Sequence, residues 1–135
     1  MKVVLDTNVL VSGILSANGP PARIVEAALA GDIQPVFDFQ ILAEYEDVLH
    51  RPELRLPGAA VERLLGSLEL VGLEVAAPPW PLDLPDPDDA AFLAVAAAAA
   101  CPLVTGNLRH YPARARRGVA VLSPRELVER WRLGA

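Results

Sequence analysis

The chain has 135 residues, of which 53% are hydrophobic and 21% are charged, and this composition is typical of a globular protein rather than a disordered one. The net charge of −5 argues against broad, nonspecific attachment to nucleic acid, although the local distribution of charge can matter more than the total. No apolar run reaches the roughly 18 residues that a membrane helix needs, and no cleavable signal peptide is evident at the start, so we expect a cytoplasmic protein.

Short strand-like runs alternate with helix-like segments along the chain. Strands are predicted at residues 3–5, 35–37, 73–75, 103–105 and 119–122. Helices are predicted at about residues 20–29 and 39–50, from residue 57 onward, from residue 89 to about 101, and from residue 124 onward. This alternation favours the α/β class: a three-layer α/β/α sandwich with a central, mostly parallel sheet of about five strands. Residues 1–135 are expected to form one domain.

Glycine and proline set several of these boundaries. A loop is expected between the first strand and the first helix, because Gly13, Asn18 and Gly19 interrupt that stretch. Residues 78–87 are rich in proline and form the one obvious irregular connector. Residues 123–126 read Ser-Pro-Arg-Glu, a capping box with proline at the first helical position, which strongly indicates the final helix.

Oxygen-bearing side chains occur where apolar segments end or turn. Asp6 directly follows the first strand, and ligands of open parallel sheets bind beyond the carboxyl ends of strands. Asn107 follows the fourth strand after Gly106 and offers a neutral oxygen to a metal or to its water. For both residues the alternative is a turn in which the side chain bonds to nearby backbone groups.

Two further acids are less well determined by the pattern. Glu44 and Glu46 lie at opposite borders of the apolar stripe of one helix, and periodicity cannot choose between them. Asp89 begins the alanine-rich helix, where a single Asp would serve as a cap. Asp86 and Asp88 lie beside it, however, and three nearby acids repel one another unless a positive charge is present. A hard divalent cation, Mg²⁺ or Mn²⁺, is the usual means of neutralising gathered carboxylates.

A basic cluster follows Asn107. It consists of Arg109, Arg114, Arg116 and Arg117, and His110 lies among them, three residues after Asn107. Its closeness in sequence to Asn107 suggests contact with a substrate, and a solvated loop is the alternative.

Four segments together resemble the PIN-domain family of metal-dependent nucleases. They are residues 3–8, 41–45, 86–94 and 103–107, which span nearly the whole chain. Within that family, the subgroup that the chain most resembles is the VapC-like toxins of toxin–antitoxin pairs.

The resemblance implies a metal-dependent endoribonuclease that cleaves RNA phosphodiester bonds as the toxin of a type II toxin–antitoxin pair. It assigns the metal ligands to Asp6, to Glu44 rather than Glu46, and to Asp89, with Mg²⁺ or Mn²⁺ as the cofactor. The fourth catalytic position falls on Asn107, where the family usually has aspartate, and Asp86 is a candidate to compensate.

The resemblance also implies supporting residues and partners. Thr7, Asn8 and Thr105 are expected to orient the carboxylates or a water on the metal, and Arg109 and His110 are candidates for RNA contact. The expected partners are an RNA substrate and a cognate antitoxin protein, and a homodimer is expected.

Two other functions are compatible with the sequence. One is a PIN-fold protein that binds RNA or an antitoxin without cleaving. The other is a phosphatase with Asp6 as nucleophile, but those enzymes usually carry a second aspartate two residues on, where this chain has Asn8. No lysine follows downstream to neutralise a phosphoaspartate.

Overall fold

Five short parallel strands form the central sheet. The structure is a computed structural model that describes residues 1–134 and the side chains of residues 1–131. The strands are β1 (Lys2–Leu5), β2 (Gln34–Phe37), β3 (Leu73–Glu74), β4 (Leu103–Val104) and β5 (Val121–Leu122). Their order is β3-β2-β1-β4-β5, and every neighbouring pair is parallel. The predicted mostly parallel sheet of about five strands is therefore confirmed, and it is wholly parallel.

The strand order reverses beside β1, and this reversal determines where a ligand can bind. From β1 the chain moves outward through β2 to β3, then crosses back to place β4 on the other side of β1. Val4 pairs with Leu103, and Leu5 pairs with Val104. Such a switch point opens a crevice beyond the carboxyl ends of the two strands. The residues that follow β1 and β4 therefore meet at that crevice.

Helices cover the sheet and complete an α/β/α fold. They are α1 (Thr7–Leu15), α2 (Pro20–Ala30), α3 (Phe39–Leu49), α4 (Gly58–Val71), α5 (Ala90–Ala99) and α6 (Pro124–Gly134). The α5 helix packs against β1, β2 and β4, while α1 packs on α2. The predicted capping box is present in α6, since Ser123 and Glu126 exchange hydrogen bonds of 3.0 and 3.1 Å.

The first helix corrects the sequence prediction, which placed a loop between β1 and α2. Residues Thr7–Leu15 are helical, and Val9 and Leu10 are buried. Gly13 is not a turn residue: a Cβ there would lie 2.5 Å from Cγ2 of Val25 and 2.8 Å from the carbonyl oxygen of Pro21. The glycine lets α1 and α2 approach closely. Burial of one helix face thus outweighs the weak helix propensity of a glycine- and valine-containing segment.

The core lies between the sheet and the helices. Val3, Val4 and Leu5 of the central strand are completely buried. The predicted stripe of α4 faces inward, since all four of its members are buried: Val61, Leu64, Leu65 and Leu68. Burial of each such side chain contributes roughly 1.5–3 kcal/mol. Among residues 1–134, no helix combines the length and the apolar character needed to cross a bilayer.

Candidate active site

Asp6 lies at the switch point, directly after β1 and before α1. Its side chain makes no cap bond to the helix, so the alternative reading as a capping turn residue does not apply. Instead its Oδ2 accepts hydrogen bonds from the hydroxyls of Thr105, at 2.9 Å, and Tyr111, at 2.8 Å. Both donors come from the chain after β4. A buried carboxylate is thus held in one orientation by side chains about 100 residues away.

The free oxygen of Asp6 faces a cleft. Both hydrogen bonds go to Oδ2, and no described residue donates one to Oδ1. Asp6 lines an open cleft of about 810 Å³ beyond the carboxyl ends of the strands. The carboxylate therefore combines a fixed position with one oxygen left for a ligand.

Three neighbours hold Thr105 and the turn after it. Asn107 donates its backbone N–H to the Thr105 hydroxyl oxygen at 3.1 Å, and the Asn8 amide donates to the same oxygen at 3.4 Å. The backbone N–H of Gly106 donates to Oδ1 of Asn8 at 2.9 Å. A Cβ on Gly106 would lie 3.2 Å from that oxygen. Glycine thus permits the close approach that ties the end of β4 to the start of α1.

Glu44 enters the same cleft from α3. It is half-buried, and its Oε2 accepts a hydrogen bond from the Thr7 hydroxyl. The next residue, Tyr45, is fully buried and donates its hydroxyl to the carbonyl oxygen of Leu5, which fixes α3 against the end of β1. Glu46 is exposed and does not line the cleft. The anchoring tyrosine, rather than apolar periodicity, therefore determines which glutamate faces the cleft.

The charge environment disfavours ionisation of Glu44. Burial raises the pKa of its carboxyl, the hydrogen bond from Thr7 partly offsets this rise, and the negative charges of Asp6, Asp88 and Asp86 raise it further.

Asp89 is the acid of the site whose charged form is least stabilised by its surroundings. It is 7% exposed, and its buried Oδ2 has no hydrogen-bond partner among the described residues. The Nδ1 atom of His110 lies 3.2 Å away without forming a hydrogen bond. Burial, followed by the charges of Asp6 and Asp86, raises the pKa of Asp89 to about 7, against a lowering effect of His110. A cation bound at this carboxylate would pair with the oxygen that accepts no hydrogen bond and would lower the pKa of Asp89.

The donor chemistry of the cleft suits a hard divalent cation. Seven acids line the cleft: Asp6, Glu44, Asp47, Glu53, Asp86, Asp88 and Asp89. Carboxylate oxygens are the ligands that Mg²⁺ and Mn²⁺ prefer. Among the described residues, however, no group of three Asp, Glu, His or Cys side chains is already arranged to hold one ion. The predicted ligands thus share a cleft without forming a closed coordination site.

Asp86 and Asn107 have local structural roles. Oδ1 of Asp86 accepts from the backbone N–H of Asp88 at 3.0 Å and caps the short 3-10 helix Pro87–Asp89. Oδ1 of Asn107 accepts from the backbone N–H of Arg109 at 3.3 Å. Asn107 thus makes the side-chain to backbone bond expected of a turn residue. Asn107 and Arg109 do not line the cleft, whereas His110 does. The structure therefore brings together Asp6, Glu44, Asp89 and His110, and leaves Asn107 and Arg109 outside.

Two residues of the candidate site were missed by reasoning from the sequence. Tyr111 is completely buried and donates to Asp6, and its place next to His110 is the one signal that could have found it. Arg51 lines the cleft beyond the end of α3. Arg51 follows the last residue of α3 by two positions, so helical spacing from Glu44 gave no signal for it.

Comparison with known families agrees with this geometry. A family model described as PIN domain matches residues 2–109, which is most of the chain and includes Asp6, Glu44 and Asp89. The match ends just before His110 and Tyr111. A comparison with curated proteins gives no match. PIN domains are generally nucleases and typically use divalent metals. With its parallel five-stranded sheet and its acids at the switch point, the chain belongs to the PIN-domain family.

Proposed function

We propose that this protein is a Mg²⁺- or Mn²⁺-dependent endoribonuclease that acts as the toxin of a type II toxin–antitoxin pair. The observation that carries the catalytic part of the proposal is Asp89: a buried carboxylate with an oxygen that accepts no hydrogen bond, and with a pKa raised by burial and then by its acidic neighbours. A cation bound between Asp89, Asp6 and Glu44 would relieve that repulsion. The toxin role rests on the resemblance of the sequence motifs to VapC-like proteins.

Two of the three acids are oriented by hydrogen bonds of their own. Asp6 is oriented by Thr105 and Tyr111, and Glu44 is oriented by Thr7. Hydrogen bonds of this kind restrict a ligand to one orientation, which favours binding of the ion. When bound, Mg²⁺ or Mn²⁺ makes water a better nucleophile near neutral pH and offsets charge on the phosphate.

The proposed reaction is hydrolysis of one RNA phosphodiester bond. A water oxygen forms a bond to phosphorus, and the bond from phosphorus to the 3′ oxygen breaks. The 3′ oxygen takes up a proton, so the products are a 5′-phosphate and a 3′-hydroxyl. The open cleft leaves room for a strand to cross the acids of the site.

A cognate antitoxin and a homodimer complete the proposal. Both follow from the VapC-like resemblance. Co-expression with the product of a neighbouring small gene, followed by co-purification and measurement of mass in solution, tests them.

A non-cleaving PIN-fold protein is the second candidate. The observation that favours it is that no three acidic, histidine or cysteine side chains of the described residues already form a metal site. A phosphatase receives no comparable support, because Asn8 is engaged in hydrogen bonds with Gly106 and Thr105.

Cleavage of mixed-sequence single-stranded RNA separates these functions. The wild-type protein is incubated with RNA and Mn²⁺, or with a chelator, and compared with Asp6→Asn. Asp32→Asn is the matched control, because Asp32 is exposed and lies outside the cleft. We expect Mn²⁺-dependent cleavage by the wild type and by Asp32→Asn, and none by Asp6→Asn. RNA binding without cleavage by the wild type would support the non-cleaving protein, and cleavage by Asp6→Asn would place the catalytic group elsewhere.

A further inference from the structure

The acidity of the cleft is unfavourable for an RNA substrate. Seven carboxylates line it, and RNA carries a negative charge at every phosphate. A bound cation would offset this repulsion only near Asp6, Glu44 and Asp89. The parts of the strand on either side of the scissile bond need a positive group of the protein.

Most arginines cannot supply that charge. Of the arginines whose side chains the structure describes, Arg51 alone lines the cleft. Arg116 donates to the carbonyl oxygen of Tyr111 at 2.7 Å, and Arg114 donates to that of Asp83 at 3.4 Å. Arg109 is exposed and does not line the cleft. None of the four arginines of the basic cluster thus lines the cleft.

Arg51 lies just beyond the helix that carries a predicted metal ligand, since α3 ends at Leu49 and Arg51 has an extended backbone. Glu44, Asp47 and Arg51 all line the cleft. The five residues from Glu44 to the end of α3 correspond to about 7.5 Å along the helix axis, and Arg51 follows that end. Arg51 would therefore meet a phosphate beside the scissile one rather than the scissile phosphate itself.

The guanidinium is held in place but remains accessible. Nη2 of Arg51 donates to Oδ2 of Asp47 at 3.0 Å, and the Arg51 side chain is 50% exposed. Pro52 opens the next 3-10 helix, which restricts the backbone after Arg51. A guanidinium has five N–H donors in a planar fork that matches phosphate oxygens. The group is thus oriented by one acid, with donors to spare for a ligand.

We propose that Arg51 is a substrate-binding residue that contacts an RNA phosphate flanking the scissile one and so positions the strand along the cleft. The inference rests on the proposed function and adds a residue, Arg51, that binds the RNA backbone beside the scissile bond. Such a contact is independent of base sequence, because it recognises only phosphate.

Binding of a fluorescein-labelled, mixed-sequence single-stranded RNA tests the proposal. Fluorescence anisotropy is measured with Mn²⁺ over a range of salt concentrations, in the Asp6→Asn background so that the RNA stays intact. Arg51→Gln is compared with Arg51→Lys and with Arg63→Gln. Arg63 is the matched control, since it is exposed on α4 and lies outside the cleft, and its substitution removes the same charge.

We expect Arg51→Gln to raise Kd roughly five-fold at low salt, as for loss of one partly exposed ion pair. The slope of log Kd against log salt should become shallower by about 0.7, the value for one phosphate contact with a single strand. Arg51→Lys should keep most of the slope, and Arg63→Gln should match the Asp6→Asn parent.

Equal effects of Arg51→Gln and Arg63→Gln would overturn the role of Arg51, because they would show a general effect of net charge. If the Asp6→Asn parent failed to bind RNA and the wild type failed to cleave it, the proposed function would fall, and this inference with it. Binding by the parent that Arg51→Gln leaves unchanged would overturn this inference alone.

Discussion

Tyr111 donates its hydroxyl to Oδ2 of Asp6 at 2.8 Å, and the two residues are 105 positions apart in sequence. The tyrosine is completely buried, so its hydroxyl has no water to bond to and depends on this carboxylate. Burial, and then the negative charge of Asp6, hold the pKa of Tyr111 far above its usual range. The tyrosine therefore stays a donor throughout the physiological range and keeps Asp6 oriented with one oxygen free.

Replacement of Tyr111 by Phe is expected to weaken both the fold and the site. It removes one hydrogen bond to a carboxylate, which corresponds to about 1–2 kcal/mol of unfolding free energy. It also releases Asp6 from one of its two donors, and loss of such a support typically lowers metal affinity 10- to 100-fold. Urea unfolding and calorimetric titration with Mn²⁺ measure the two effects.

Tyr45→Phe is the matched control for this prediction. Tyr45 is also fully buried, and its hydroxyl bonds to the carbonyl oxygen of Leu5 instead of to an acid of the site. It should lower stability by a similar amount while changing Mn²⁺ affinity much less. Equal losses of Mn²⁺ affinity in both variants would show that Tyr111 acts only through general stability.

The sequence predicts a ligand site beside Asp6 through topology rather than through contacts. Asp6 and Thr105 each follow an apolar strand, and parallel strands bring their carboxyl ends to one edge of the sheet. Their hydrogen bond of 2.9 Å is the outcome of that rule. The sequence pattern alone places Asp6 at this edge, whereas the supporting role of Thr105 was expected only from the resemblance to PIN domains.

Features that depend on tertiary packing could not be predicted from the sequence. The sequence predicts a loop in place of helix α1 because Gly13 is typical of a turn, whereas this glycine is needed for contact with α2. The side of α3 that faces the cleft depends on the hydrogen bond from Tyr45 to the end of β1. The cleft position of Arg51 depends on the same orientation. Each of these facts arises where two segments distant in sequence meet.

The acids of the site should make the metal-free protein less stable as pH rises. The pKa of Asp89 is about 7 in the folded state and is near 3.8 without the fold, so the folded state binds more protons between these values. Stability then falls as pH rises from about 4 to 7. Asp89→Asn removes this contribution. The unfolding free energy of Asp89→Asn minus that of the wild type should increase from about pH 4 to about pH 7 and stay constant at higher pH.

Urea unfolding with a chelator present, at several pH values, measures that difference. Asp32→Asn, an exposed replacement of the same kind, should follow the wild type at every pH. A difference between Asp89→Asn and wild type that does not vary between pH 4 and 7 would contradict the raised pKa of Asp89.

Metal binding should release a proton from the same carboxyl. Below its pKa of about 7, Asp89 is mostly protonated, and a cation can bind its oxygens only after the proton leaves. At pH 6 we expect Mn²⁺ binding to release close to one proton, and at pH 8.5 almost none. Calorimetry in buffers of different ionisation enthalpy counts these protons. Release that is the same at both pH values would exclude Asp89 as the titrating ligand.

Replacement of Gly13 by Ala should destabilise the protein even though alanine favours helices. The added Cβ would lie 2.8 Å from the carbonyl oxygen of Pro21, and backbone cannot move aside as a flexible side chain can. Overpacking of this kind lowers stability by about 1–3 kcal/mol. Because α1 begins with Thr7, which bonds Glu44, separation of α1 from α2 would also disturb the cleft.

Gly66→Ala makes the same chemical change at a position where we expect the opposite effect on the unfolding free energy. Gly66 lies within α4, and nothing lies within 4 Å of where its Cβ would be. The substitution should raise the unfolding free energy by up to about 1 kcal/mol through helix propensity. Urea unfolding compares the two variants, and a cleavage assay with Mn²⁺ shows whether Gly13→Ala also lowers activity. A Gly13→Ala protein as stable as Gly66→Ala would mean that α1 and α2 do not pack as closely as the structure has them.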